Sequence, residues 1–219
     1  MNFKLQSMHM KLLSRVTADV KHTPSAHSTL DVLWVLYDRV LRITPETVDA
    51  PDRARFLLSK GHGPAAYYAV LAAKGFIPEE WLDDMGGWDS PLGHHPDRML
   101  IPGVEIGTGS LGHGLGLAVG TALGLRAQGF LDTRTFVLLG DAELDEGSNH
   151  EAIAYAAAIR LPITAIVIDN RSATHGWPGG IPVRFPNWGV SVVNGRDHDE
   201  IERALRVVSD RPHLVVASV

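Results

Sequence analysis

Residues 136–170 read FVLLGDAELDEGSNHEAIAYAAAIRLPITAIVIDN and decide the fold. The apolar run Phe136 to Leu139 stops at Gly140-Asp141. An acidic turn follows, then an alanine-rich helical pattern. A second apolar run, Ile163 to Ile168, stops at Asp169-Asn170. Both runs are short, β-rich and uncharged, as strands buried on both faces are. An intervening helix makes them neighbouring parallel strands joined by a crossover. In such sheets ligands sit beyond the carboxyl ends of strands. Asp141 and Asn170 each stand at such an end. Alone, the aspartate would cap a helix and the asparagine would close a turn. Together they offer one anionic and one neutral oxygen, a set that suits Mg²⁺ sharing its shell with phosphate and water.

Working outward, the helical spacing of Lys11 to Val20 and Asp31 to Leu41 predicts two helices, the first a lead-in over about 1–20. Arg55 to Ser59 reads as a short strand. Gly61-His62-Gly63-Pro64 opens a helix that reaches about Lys74 and ends at Gly75. Pro78 to Met85 is a short helix. Gly86 to Gly109 is an irregular stretch rich in Gly, Pro and His, and loops of that length inside a domain usually serve function. Leu111 to Ala127 has the small residues of a closely packed helix. Arg171 to Gly189 is a second loop. Strands at Val190 to Val193 and His213 to Ala217 flank a helix over Asp197 to Val208. Alternating strands and helices predict a single three-layer α/β/α domain over 1–219 with a mainly parallel sheet.

Composition narrows the function. The chain has 219 residues and a net charge of −5, with no basic block to hold nucleic acid. No apolar stretch is long enough to span a bilayer. The N-terminus lacks the apolar core of a secretory signal, so a cytoplasmic location is expected. Absence of cysteine removes disulfides and thiolate metal sites. Eleven histidines are many, and several lie beside glycines in loops.

The opening segment resembles the thiamine-diphosphate motif, in which Gly-Asp-Gly is followed by a later Asn. It is similar to the transketolase version, whose Glu-Gly-x-x-x-Glu-Ala appears as Glu146-Gly147-Ser148-Asn149-His150-Glu151-Ala152. The third motif glycine is replaced by Ala142, whose methyl narrows backbone approach to a diphosphate but leaves the N–H donor. The resemblance implies thiamine diphosphate held by Mg²⁺, or by Ca²⁺ or Mn²⁺ in its place. Gly140, Asp141, Ala142 and Asn170 would line the cofactor. Asp141, Asn170 and the carbonyl of Ser172 would bind the metal.

Three more segments carry the resemblance. His22 lies in His-Thr-Pro-Ser-Ala-His-Ser-Thr-Leu-Asp, His62 in Ser-Lys-Gly-His-Gly, and His95 in His-Pro-Asp. These match family histidines that surround the thiazolium ring and the sugar. Imidazoles suit that work because they bind hydroxyls and pass protons near neutral pH. His94 replaces the family's glycine before His95, so the sequence leaves open which of the two points inward. Gly107-Thr108-Gly109-Ser110-Leu111-Gly112 spells a dinucleotide fingerprint, but no buried strand directly precedes it. It resembles instead the family's Thr-Gly-Pro-Leu-Gly-Gln-Gly turn, which places Gly109, Leu111 and Gly112 at the cofactor. Glu146 and Glu151 match glutamates that face a subunit interface. Trp177, Phe185 and Trp188 either cover the pocket or pack.

The resemblance covers nearly the whole chain but only the diphosphate-binding part of a transketolase. A full enzyme adds a pyrimidine-binding domain, whose glutamate activates the cofactor, and a C-terminal domain. The expectation is therefore the N-terminal subunit of a split transketolase that moves a two-carbon ketol unit between sugar phosphates. A C-terminal subunit would complete it, in a heterotetramer. Readings held beside it are a thiamine-diphosphate enzyme with another acceptor and a non-catalytic assembly subunit.

Overall fold

The computed structural model describes residues 3–16, 23–173 and 176–219, with the side chains of 10–16, 24–173 and 176–219. Five strands form one sheet: β1 (Arg55–Leu58), β2 (Thr135–Gly140), β3 (Ile163–Asp169), β4 (Gly189–Asn194) and β5 (His213–Ser218). Their order is β1-β2-β3-β5-β4, and every pairing is parallel. The registers bring the carboxyl ends of the first three strands together, with Leu58 beside Leu138 and Gly140 beside Ile168.

Six α-helices cover the sheet: α1 (Phe3–Val16), α2 (Thr23–Val35), α3 (Pro64–Ala73), α4 (Gly114–Ala127), α5 (Gly147–Ala158) and α6 (His198–Leu205). Side chains alternate along each strand with the period of two that a pleat imposes. Phe56, Leu58, Phe136, Leu138, Ile166 and Ile168 enter the core beneath α1, α2, α3 and α6. Leu57, Val137, Leu139, Ala165 and Val167 enter the opposite core beneath α4 and α5. This is the three-layer α/β/α sandwich expected, with a wholly parallel sheet.

Several boundaries move. α1 is described over Phe3–Val16, beginning before Lys11, and residues 17–20 of the expected helix lie outside the described residues. α2 begins at Thr23, well before Asp31, with Pro24 in its first turn where no N–H is needed. It passes into a π-turn at Leu36–Val40. Pro78 to Met85 forms a 3-10 helix, Glu79–Asp84. α4 starts at Gly114 and not at Leu111, because Gly112 takes φ +82°, which no α-helix contains. α6 spans fewer residues than expected, capped by Asp197, whose carboxylate accepts from the N–H groups of Asp199 and Glu200 at 3.0 Å.

Candidate active site

Three adjacent strand ends build the site. β1 runs out into Ser59-Lys60-Gly61-His62, and the N–H groups of Ser59 and Lys60 still donate to the Leu138 carbonyl at 2.8 and 3.0 Å. β2 runs into Asp141, whose N–H donates to Ile168 O at 3.2 Å. β3 runs into Asn170 and Ser172. A cleft of about 440 Å³ opens above them. Its walls include His62, Leu111, Gly140, Ala142, Asn170 and Ser172, with Pro24 and Ser25 of α2 across from them.

Asp141 is only 3 % exposed. One carboxylate oxygen accepts from Ala142 N at 2.8 Å and from the Ser172 hydroxyl. The other accepts from Ser172 N at 2.7 Å and Ala173 N at 3.3 Å. Asp141 thus does cap the short 3-10 turn Ala142–Asp145, the ordinary role for an aspartate there, while also gathering the turn after β3. Asn170 Oδ1 is shut off from solvent and has no hydrogen-bond partner among the described residues. A buried acceptor left in that state costs free energy, so it points to a ligand. An anionic carboxylate and an amide oxygen at neighbouring strand ends fit a hard cation. No group of three His, Cys, Asp or Glu side chains among the described residues forms a metal cluster. Ser172 meets Asp141 through its N–H and hydroxyl.

The histidines divide. His22 lies outside the described residues. His62 lines the cleft. The His95 ring lies beside Gly61 and Gly109, 3.4 and 3.5 Å from where a β-carbon would stand on each, and its Nδ1 is 3.3 Å from Thr108 Oγ1. The His94 ring packs against Gly86 instead. His95 is therefore the one turned toward the Gly107–Gly112 turn. That turn follows loop and no strand, so it lacks the setting of a dinucleotide site. Gly109 and Gly112 both hold positive φ, +119° and +82°. Phe185 and Trp188 are core residues, the indole donating to Ile153 O at 3.1 Å. Trp177 is half exposed and stacks with the buried Arg184 guanidinium and the His150 ring. None of the three aromatics lines the cleft.

Two functional candidates escape a reading of the sequence. Lys60 is 7 % exposed, and its Nζ donates to Thr29 Oγ1 at 2.8 Å, Ser28 Oγ at 3.1 Å and Ser25 O at 3.4 Å. Burial pushes its pKa down to about 8, against the pull of the Asp141 and Glu143 charges. Glu143 is 3 % exposed and likewise lines the cleft. Burial pushes its carboxyl up, while donors from Ser59, Gly140 and Gly112 pull it down. Lys60 has a signal, as the second residue of the Ser-Lys-Gly-His-Gly segment. Glu143 has none beyond its place in an acidic run.

The family model for the transketolase thiamine-diphosphate-binding domain matches residues 10–218. The chain belongs to the transketolase family. It is 57 % identical over 212 residues to the protein named ferredoxin fas2 of Rhodococcoides fascians, covering 95 % of this chain and 70 % of that one. It is 38 % identical over 208 residues to an apulose-4-phosphate transketolase subunit of Actinobacillus succinogenes, covering 90 % and 75 %. The crystal structure of transketolase from Campylobacter jejuni superposes with a TM-score of 0.82 at 27 % identity, over all of this chain and 38 % of that one. This transketolase-family chain is thus the thiamine-diphosphate-binding domain of a transferase, and its sheet and helices are those of transketolase. Among the described residues no helix is long and apolar enough to cross a membrane.

Proposed function

We propose that this chain is the N-terminal subunit of a split transketolase, moving a two-carbon ketol unit from a ketose phosphate to an aldose phosphate. The observation that carries the proposal is the orphaned Asn170 Oδ1 in the wall of the cleft that His62 lines, one strand away from the buried Asp141. Asp141, Asn170 and the carbonyl of Ser172 would hold Mg²⁺ on the diphosphate. The Gly140, Ala142, Gly109, Leu111 and Gly112 segments supply backbone walls. Bound thiamine diphosphate supplies the nucleophilic carbon through which a carbon–carbon bond breaks and forms. His22, His62 and His95 bind sugar hydroxyls and move protons at the substrate's oxygens.

A C-terminal subunit carrying the pyrimidine-binding domain completes the site, in a heterotetramer. Support comes from the apulose-4-phosphate relative, whose name makes it one subunit of a transketolase. Further support comes from exposed apolar side chains, Leu111 on the cleft wall, Leu117 of α4 and Tyr155 of α5. The test is reconstitution. The chain alone, the partner alone and the mixture are assayed for ketol transfer with and without thiamine diphosphate and Mg²⁺. Transfer confined to the mixture with cofactor is the expected result. Full turnover by the single chain overturns the split assignment.

A second reading rests on the relative named for ferredoxin. In it the donor's two-carbon unit gives up two electrons to two equivalents of a one-electron carrier and leaves as a carboxylic acid on water, instead of passing to an aldose. These 219 residues contain no cysteine, hence no thiolate for an iron–sulfur cluster. Donor-dependent ferredoxin reduction in place of aldose-dependent transfer would establish that reading.

A further inference from the structure

Glu143 stands where three loops of the cleft converge. Its Oε1 accepts from the Ser59 hydroxyl and from Gly112 N at 3.1 Å, and its Oε2 accepts from Gly140 N at 3.2 Å. The donors belong to three separate segments: the turn after β1 that leads to His62, the Gly107–Gly112 turn, and the end of β2 that leads to Asp141. Its own carbonyl accepts from Asn149 Nδ2 of α5 at 2.7 Å.

Proton accounting fixes the carboxyl as an acceptor. Gly114 N donates to Ser59 Oγ at 3.1 Å, so the one hydroxyl proton of Ser59 is left to point at Glu143. Two backbone N–H groups meet the same carboxylate, and neither can act as an acceptor. The charge of Lys60 couples to Glu143, and its stem lies against Gly140, 3.5 Å from where a β-carbon would stand. Lys60 in turn binds Ser25, Ser28 and Thr29 of α2, the fourth wall. A buried carboxylate with a fixed set of donors is costly to build and specifies one arrangement of the segments that supply them.

We propose that Glu143 is the positioning residue of this site: a buried carboxyl that holds the Ser59, Gly112 and Gly140 turns in the mutual arrangement that receives the metal–diphosphate group. The inference rests on the transketolase reading of the cleft. Glu143 acts through the turns it binds. Substituting glutamine keeps the shape but places an NH₂ on one of the two oxygens. On the Oε2 side it faces Gly140 N–H, and on the Oε1 side it faces Gly112 N–H. Either way one backbone donor is orphaned and its turn moves.

The experiment compares wild type, Glu143→Gln, Ser59→Ala and the double variant, each assembled with the partner subunit. Calorimetry gives the Kd for thiamine diphosphate in Mg²⁺, a melt without cofactor gives Tm, and kinetics give kcat at saturating cofactor. For Glu143→Gln the Kd rises about tenfold, the cost of one lost buried hydrogen bond, while kcat stays within about twofold. For Ser59→Ala the rise is smaller. The double variant binds no more weakly than Glu143→Gln, because Ser59 acts through the carboxylate. A purely structural role lowers Tm and leaves Kd within about twofold of wild type, which overturns the proposal. If Glu143→Gln does not fold, an unchanged Kd in Ser59→Ala overturns it equally. Wild-type assembly that binds no thiamine diphosphate defeats the transketolase reading itself, an outcome distinct from wild-type binding with unaffected variants.

Discussion

At the scale of single residues, Asp141 and Lys60 carry opposite charges behind one cleft and predict opposite behaviour. Asp141 organises three backbone N–H groups and a hydroxyl, and under the transketolase reading it is also a metal ligand. Asp141→Ala therefore removes metal-dependent cofactor affinity and also costs the fold about 1–3 kcal/mol, as orphaned donors do. Titration calorimetry with a parallel melt checks both, and retained affinity would show that the ligand is elsewhere. Lys60 has its pKa pushed down to about 8 from 10.5, so below pH 8 the folded state carries a charge that burial opposes. The unfolded chain holds that proton until about 10.5, so Lys60's contribution to stability rises with pH between 8 and 10.5. The gap corresponds to roughly 3 kcal/mol. Lys60→Met leaves Ser28 and Thr29 satisfied, since each hydroxyl still donates to Ser25 O at 2.8 Å. The variant is expected to melt higher than wild type at pH 7, with the difference shrinking toward pH 10. A difference independent of pH between 7 and 10 would mean that Lys60 is not buried as a cation. The sequence displays Asp141 and Asn170 because strand ends are readable from apolar runs. It hides Lys60 and Glu143 because burial of a charge depends on segments distant in the chain, here α2 and the Gly112 turn.

At the scale of elements, strands are legible almost to the residue, since an uncharged run between polar punctuation has few alternatives. Helix starts are less so. α2 opens with Thr23-Pro24-Ser25, which reads as loop, and Lys60 donates to the Ser25 carbonyl and to the hydroxyls of Ser28 and Thr29 that follow. Sequence pattern starts α4 at Leu111, because its glycine-rich opening has no capping side chain to announce it. Gly112 shows what that region needs. Its φ is +82°, and an added β-carbon would stand 2.5 Å from the Glu146 β-carbon. Gly112→Ala thus combines a left-handed backbone penalty with a collision, and is expected to cost about 2–4 kcal/mol. It should also shift the Gly112 N–H that Glu143 accepts, weakening cofactor binding by at least tenfold. Denaturant unfolding and cofactor titration measure the two effects; a variant as stable as wild type would mean that the turn takes another conformation in solution. Ala142 lies on the cleft wall with ordinary φ, so a methyl there is tolerated by the backbone.

At the scale of the whole molecule, the order of apolar runs and helices dictates a parallel three-layer domain, but not what lies against its surface. Leu111 on the cleft wall is 54 % exposed, and Leu117 of the following α4 is 48 % exposed. Gly116 and Gly120 on the same helix have nothing within 4 Å of an added β-carbon. Smooth helix surface next to large exposed apolar side chains is poorly matched to water and well matched to a protein surface. Under the split-transketolase reading this face meets the complementary subunit, near Glu146 and Glu151, which are also exposed. Leu117→Glu separates association from folding. Leu117 belongs to neither hydrophobic core, so the isolated chain should keep its stability within about 0.5 kcal/mol. A charge at the centre of an apolar contact should weaken assembly by at least tenfold. Sedimentation of the mixed subunits gives the affinity, and a melt of the single chain gives the stability. Unaltered assembly by Leu117→Glu would move the contact to another face, and the partner would then have to reach the cleft from the side of α2.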